Sequence, residues 1–185
     1  MAVFDASFLI YLFDTDANPP HDPGTGKLVT HFKERIEYFI KTLEQSGDKV
    51  VIPTPALSEY LVRAEEAGVE RLHYLQNKAV FQIADFDSLA AVELATLNRE
   101  AIKKGDKMGG VVEPWQKVKL DRQIVAIAKV AGESVIYSGD PKLHAFAKEA
   151  GLQPFSLHDL ELPPEDAQQK LELEPDQDAD PDDGG

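Results

Sequence analysis

Residues 2–13, AVFDASFLIYLF, read as a short buried strand that hands over to a helix at an acid. Ala2, Val3 and Phe4 form an apolar run too short for a helix. Asp5-Ala-Ser then opens a helix over about 7–13, with Phe8, Leu9 and Leu12 on one side. The same handover recurs near the other end of the chain. There Ser134–Tyr137 reads as a strand, and Ser138-Gly139-Asp140-Pro141 turns into a helix over 141–150. Two strands, each followed at once by an acid and a helix, are the signature of a strand–helix alternation.

The segments between extend that alternation. A polar stretch rich in Pro and Gly, Asp14–Gly26, reads as a loop. Leu28, Phe32, Ile36, Phe39, Ile40 and Leu43 then fall at helical spacing and predict a long helix over about 27–46. Gly47-Asp48 ends it, and Lys49–Ile52 is a strand. Thr54 is the expected N-cap of the next helix, with Pro55 at its first position; that helix runs to about 66, where Gly68 breaks it. Val69–Asn77 predicts a short helix and Val80–Ile83 a strand. Asp87 or Ser88 caps a helix to about Lys104, residues 105–116 form an exposed loop, and Lys117–Ala131 is helical. Gly151 stops the following helix, and Gln153–Ser156 is a last short strand. The expected fold is α/β, in three layers around a mainly parallel sheet. Functional groups in such sheets gather beyond the carboxyl ends of the strands.

Length and charge bound the rest. At 185 residues the chain is long enough for one domain with a full core, expected over 1–160. It has no cysteine, so disulfides and thiolate metal sites are excluded and a reducing, cytoplasmic setting fits. Its start lacks the basic region of a signal peptide, and no apolar run approaches a membrane span. The formal net charge is −14, unevenly spread. Residues 161–185 hold ten acids and one Lys, and read as an acidic disordered tail. Such acidity excludes a broad, non-specific nucleic-acid binder but leaves room for a local basic rim.

Four acids carry the chemistry: Asp5, Glu59, Asp121 and Asp140. Each falls at a strand-to-helix handover or on the first turns of a helix, so distant segments bring them to one end of the sheet. Acids held together repel unless a cation joins them. Mg²⁺ or Mn²⁺ is the usual answer, and hard ions on oxygen ligands perform phosphoryl chemistry. Taken singly, Asp5 and Asp140 also read as helix caps and Glu59 as a solvated helix residue. Asp121 stands among Leu120, Ile124, Val125 and Ile127, where an unpaired acid is costly. Asp14, Asp16 and Asp22 read as solvated, and Asp85 and Asp87 as a turn and a cap. His21, His31, His73, His144 and His158 show no metal-ligand spacing, and no phosphate loop, dinucleotide fingerprint or nucleophile elbow is present.

Four stretches together resemble the PIN-domain nucleases: Val-Phe-Asp5-Ala-Ser7, Thr54-Pro-Ala-Leu-Ser-Glu59, Leu120-Asp121-Arg-Gln-Ile-Val-Ala-Ile-Ala and Tyr137-Ser138-Gly-Asp140. The resemblance covers about residues 2–157. It implies a PIN-like α/β/α fold and a metal-dependent endoribonuclease, with Asp5, Glu59, Asp121 and Asp140 binding one or two Mg²⁺ or Mn²⁺ ions. Ser7 and Ser138 match small polar positions that orient ligands or bound water; Ser138 stands where Thr is more usual. The resemblance further implies a VapC-like toxin of a type II toxin–antitoxin pair. Its partners would be an RNA substrate, a small antitoxin covering the acidic groove, and a second copy in a homodimer.

Positive charge for the RNA is sought near the acids, at Lys117, Lys119, Arg122 and Lys142, with Lys103, Lys104 and Lys107 close in sequence. Trp115 reads either as a base-stacking residue or, preferably, as an anchor for its loop. Three other functions compete: a PIN nuclease of RNA processing or phage defence, a haloacid-dehalogenase-type phosphatase, and a non-catalytic PIN-fold binding module. The phosphatase class requires a second Asp two residues after the first, where this chain has Ser7. A tail folded over the enzyme's own basic rim competes with a plain solubilising tail.

Overall fold

The computed structural model describes residues 2–14, 16–22, 25–105 and 115–164. Five parallel strands form one sheet: β1 (Ala2–Phe4), β2 (Val50–Pro53), β3 (Phe81–Ala84), β4 (Val135–Tyr137) and β5 (Gln153–Phe155). Their order is β3-β2-β1-β4-β5. Val3 pairs with Val51 on one side and with Ile136 on the other, so β1 lies at the centre. The chain first builds outward through β2 and β3, then returns to build β4 and β5 on the opposite side. That reversal puts the switch point between β1 and β4, where a parallel sheet opens its crevice.

Seven helices are described: α1 (Ala6–Phe13), α2 (Phe32–Ser46), α3 (Thr54–Ala64), α4 (Gly68–Asn77), α5 (Ser88–Lys103), α6 (Trp115–Val130) and α7 (Pro141–Glu149). Successive strand residues point to opposite faces, and this divides the core. Ala2, Phe4, Val50 and Ile52 face the layer that includes Phe8, Leu9, Ile36 and Leu75. Val3, Val51 and Ile136 face Ile124, Val125, Leu143 and Phe146 of α6 and α7. Both faces are covered, which is why these strands read as continuous apolar runs rather than alternating ones. Helix α3 contributes Leu57 and Tyr60 to the first layer and Ala56 to the second. It therefore straddles the end of the sheet. Rings stiffen the first layer: Tyr137 lies 4.8 Å from Phe39 and 5.9 Å from Phe4, centroid to centroid. Such pairs contribute about 0.5–1.5 kcal/mol each beyond burial.

Most expected elements stand within a few residues of their predicted ends. Two differ for clear reasons. Helix α2 begins at Phe32, not near 27, because the chain before it is tied elsewhere. Val29 N–H donates to Pro20 O, Leu28 bridges His21, and His31 takes the left-handed conformation at φ 53°. Leu28 is consequently exposed. Thr54 is not the N-cap of α3 but its first residue, and its Oγ1 accepts from Phe86 N–H beyond β3. The break after α3 comes at Glu65, whose φ is 48°, and Gly68 opens the next helix instead of ending the last. Asp87 is the cap of α5, accepting from Ala90 N–H. Residues 106–114 and 165–185 lie outside the described residues, and with them Lys107, most of the expected 105–116 loop and most of the expected tail. The side chain of Trp115 lies outside them too.

Candidate active site

Asp5 sits at the carboxyl end of β1 and caps α1. Its Oδ1 accepts from Ser7 N–H at 2.9 Å, Ser7 Oγ–H at 2.6 Å and Phe8 N–H at 3.2 Å. Its Oδ2 accepts from the buried Ser138 hydroxyl at 2.5 Å. Asp140 occupies the matching position after β4, where it caps α7 through Lys142 N–H at 2.8 Å. Both acids are caps, as short acids at such turns tend to be. Both also line a pocket of about 290 Å³ beyond the switch point, together with Glu59 and Asp121.

The two turns are stitched by serines. Ser138 Oγ donates to Asp5 and accepts from Asp140 N–H at 2.9 Å. Ser7 Oγ donates to Asp5 and accepts from Gly139 N–H at 2.7 Å. Each hydroxyl thus has a donor and an acceptor partner, which fixes its rotor and the carboxylate it serves.

Glu59 reaches the pocket from α3, the helix placed across the sheet end. Asp121 reaches it from α6 and is only 7 % exposed. One helical turn before Asp121, Lys117 lines the same pocket, and its Nζ lies 2.9 Å from Asp140 Oδ2. Burial pushes the Asp121 carboxyl up to about 7, and the negative charges of Asp140, Glu59 and Asp5 push the same way while Lys117 opposes them. Burial likewise pushes Asp5 up to about 6, against the downward pull of its hydrogen bonds from Ser138, Ser7 and Phe8. Lys117 is held above its ordinary value chiefly by its bond to Asp140. The four acids therefore share one electrostatic field, a signature of functional sites.

The donors are hard oxygens, suited in kind to Mg²⁺ or Mn²⁺. As the side chains stand, no three acids or histidines among the described residues converge closely enough to hold a metal ion. Asp5 directs its oxygens to the serines and Phe8, and Asp140 directs its own to Lys142 and Lys117. The Lys117 ammonium is the cation drawn into this field.

The remaining expected residues separate. Lys119 is exposed and Lys142 half-buried on α7. Arg122 is not on the rim. It is 4 % exposed, donates through Nη1 to Asn98 Oδ1 at 2.8 Å and lies 5.2 Å over the Phe146 ring. It locks α6 to α5 and α7. Lys104 pairs with Glu149 at 3.0 Å. Asp14, expected in solvent, pairs with Arg63 at 3.0 Å, and that guanidinium holds its carboxyl below the usual range. Sequence reasoning passed over Tyr11 and Gly139, which both line the acid pocket. Tyr11 stands one helical turn after Ser7, and that spacing was the available signal.

No protein-family model and no curated protein matches the sequence. Solved structures do match the fold. A chain of the DNA-bound VapBC complex from Salmonella typhimurium superposes with a TM-score of 0.54 at 17% identity, covering 84% of this chain and 97% of that one. A chain of VapBC2 from Rickettsia felis, bound to a DNA fragment from its promoter, gives 0.54 at 13% identity over 84% and 97%. The chain has the three-layer, PIN-like fold of these VapBC structures.

Proposed function

We propose that this protein is a metal-dependent endoribonuclease that hydrolyses RNA phosphodiester bonds, acting as the toxin of a type II toxin–antitoxin pair. The observation that carries the chemistry is that Asp5, Glu59, Asp121 and Asp140, from four separate elements, line one pocket. Asp5, Glu59, Asp121 and Asp140 would hold one or two Mg²⁺ or Mn²⁺ ions. Such ions supply a hydroxide-like water at neutral pH and neutralise charge on the phosphate and its leaving oxygen.

The chain's own residues do the positioning. Ser7 and Ser138 hold the Asp5 carboxylate in one orientation. Lys117 keeps a positive charge beside Asp140, available to a phosphate oxygen. Ile10, Tyr11 and Leu143 supply the apolar part of the pocket wall. The partner part of the reading is supported by the shared fold with two VapBC complexes, and implies an antitoxin over the acidic groove. A phosphatase of the haloacid-dehalogenase type lacks its second acid, since Ser7 stands there and spends its hydroxyl on Asp5 and Gly139.

The test is cleavage of RNA with Mg²⁺ or Mn²⁺, run beside EDTA, Asp5→Asn and Asp121→Asn. Cleavage lost in all three controls supports the reading, and cleavage that persists in the variants overturns it. Growth arrest on expression in a bacterial host, absent for Asp121→Asn, tests the toxin part.

A further inference from the structure

A second pocket, of about 190 Å³, adjoins the acid pocket. Tyr11, Gly139 and Pro141 line both, so the two share one wall. Its other sides come from segments the nuclease reading leaves unused. His21 and Pro20 lie after α1, His144 lies on α7, and Ser156 and His158 follow β5.

The two linings differ in chemistry. The acid pocket gathers four carboxylates. The second pocket has no carboxylate among its described lining residues, and gathers three imidazoles and the Ser156 and Tyr11 hydroxyls between the apolar walls of Val29 and Leu157, with His158 Nε2 lying 3.3 Å from Asp159 Oδ1. Imidazole and hydroxyl groups both donate and accept hydrogen bonds, as the edges of a heterocyclic base require, while prolyl, aliphatic and imidazole surfaces suit its faces. His144 is set in place: its Nε2 lies 2.9 Å from Ser138 O, a carbonyl that only accepts, so that nitrogen carries the proton. The same Ser138 holds Asp5 through its hydroxyl. One residue therefore positions a wall of each pocket.

We infer that this second pocket binds the nucleobase of the nucleotide adjoining the scissile phosphate, and so restricts the enzyme to unpaired RNA with a preference at that position. This rests on the nuclease reading. A phosphodiester placed against the four acids has its neighbouring nucleotide beside the shared wall, and a base can enter the pocket only when it is not paired. The base edge would be read by His21, His144, His158 and Ser156.

Two measurements test it, one independent of catalysis. The first follows the ring resonances of His21, His144 and His158 by NMR in EDTA, as AMP, GMP, CMP and UMP are added in turn. The expected result is a saturable shift of these rings with one or two of the four, lost in His158→Ala. The second maps cleavage of a single-stranded RNA of mixed sequence by wild type, His21→Ala and His158→Ala, with thermal melts to establish that each is folded. The expected result is a roughly tenfold loss of discrimination between the best and worst flanking bases, through slower cleavage at the best sites. Silent histidine rings with all four nucleotides overturn the inference, as does an identical cleavage map in both variants. Responsive rings in a protein that cleaves no RNA sink the nuclease reading and leave the nucleotide pocket standing.

Discussion

The Ser7 hydroxyl lies 2.7 Å from the Gly139 backbone N–H, and so joins the turn after β1 to the turn after β4. That link runs beside the Ser138–Asp5 link between the same turns, and Gly139 leaves little room next to it. A Cβ built there would meet Ser7 Oγ at 3.1 Å and the Tyr11 hydroxyl at 3.3 Å. Gly139→Ala is therefore expected to push Ser7 away from Asp5 while leaving the core intact. The expected outcome is a drop in kcat of roughly tenfold or more, with a stability cost of about 1 kcal/mol. Steady-state kinetics beside a urea melt checks it, and an unchanged kcat would remove Ser7 from the positioning role.

Asp121 gives the opposite balance. It is buried, its charge is disfavoured by its surroundings, and three further acids face it. An amide of the same shape removes that repulsion. Asp121→Asn should abolish cleavage and raise the metal-free protein's stability by about 1–2 kcal/mol. A variant that is both inactive and less stable would contradict the electrostatic account of this pocket.

The same groups set a pH dependence. In the folded protein Asp5 titrates at about 6 and Asp121 at about 7, both above the ordinary carboxylate value of 3.8. Between 3.8 and those values the folded state holds protons that the unfolded chain has released. Their contribution is therefore fully present below pH 3.8 and lost as pH rises through 6 and 7. Thermal melts in EDTA should show these two groups lowering stability from pH 5 to 7.5, by a total on the order of a few kcal/mol. A melting temperature that rises steadily over that interval would falsify the assignment.

Much of this was legible in the sequence, for physical reasons. Phe4 and Ile52 are buried on one face of the sheet and Val3 and Val51 on the other, so β1 and β2 announce themselves as apolar runs. Asp5 and Asp140 are caps, and capping is a local property that short acids at strand ends report directly. What was not legible depends on distant partners. Leu28 continues the helical spacing of α2, yet the chain there is held by Pro20 and His21. Thr54 looks like a cap, yet its hydroxyl serves Phe86. Arg122 follows Asp121 and reads as a phosphate contact, but the neighbouring position on a helix points about 100° away. That turn carries it into the core, against Asn98 and Phe146.

Arg122 and Lys117 consequently differ in what their loss does. Arg122→Met removes a hydrogen bond to Asn98 and the charge over Phe146, and leaves Asn98 Oδ1 without that partner. It should cost about 1–3 kcal/mol of stability. The folded variant should bind single-stranded RNA with the wild-type salt slope. A shallower slope would return Arg122 to the phosphate contacts.

Lys117 is the more decisive case, because its ammonium sits where positive charge is wanted. It pairs with Asp140 at 2.9 Å and lies in the field of Asp121 and Glu59. A divalent ion entering the pocket competes with it for the same carboxylates. Lys117→Met should therefore tighten Mn²⁺ binding, roughly three- to tenfold, because the four acids lose their internal counter-charge. The metal-free variant should be slightly less stable than wild type, by up to about 1 kcal/mol, since the pair is partly open to solvent. Cleavage should nonetheless fall, as the substrate phosphate loses its lysine. Calorimetric titration with Mn²⁺, melts in EDTA and RNA cleavage separate these three effects. Weaker Mn²⁺ binding in the variant would mean that Lys117 supports the metal arrangement instead of competing with it.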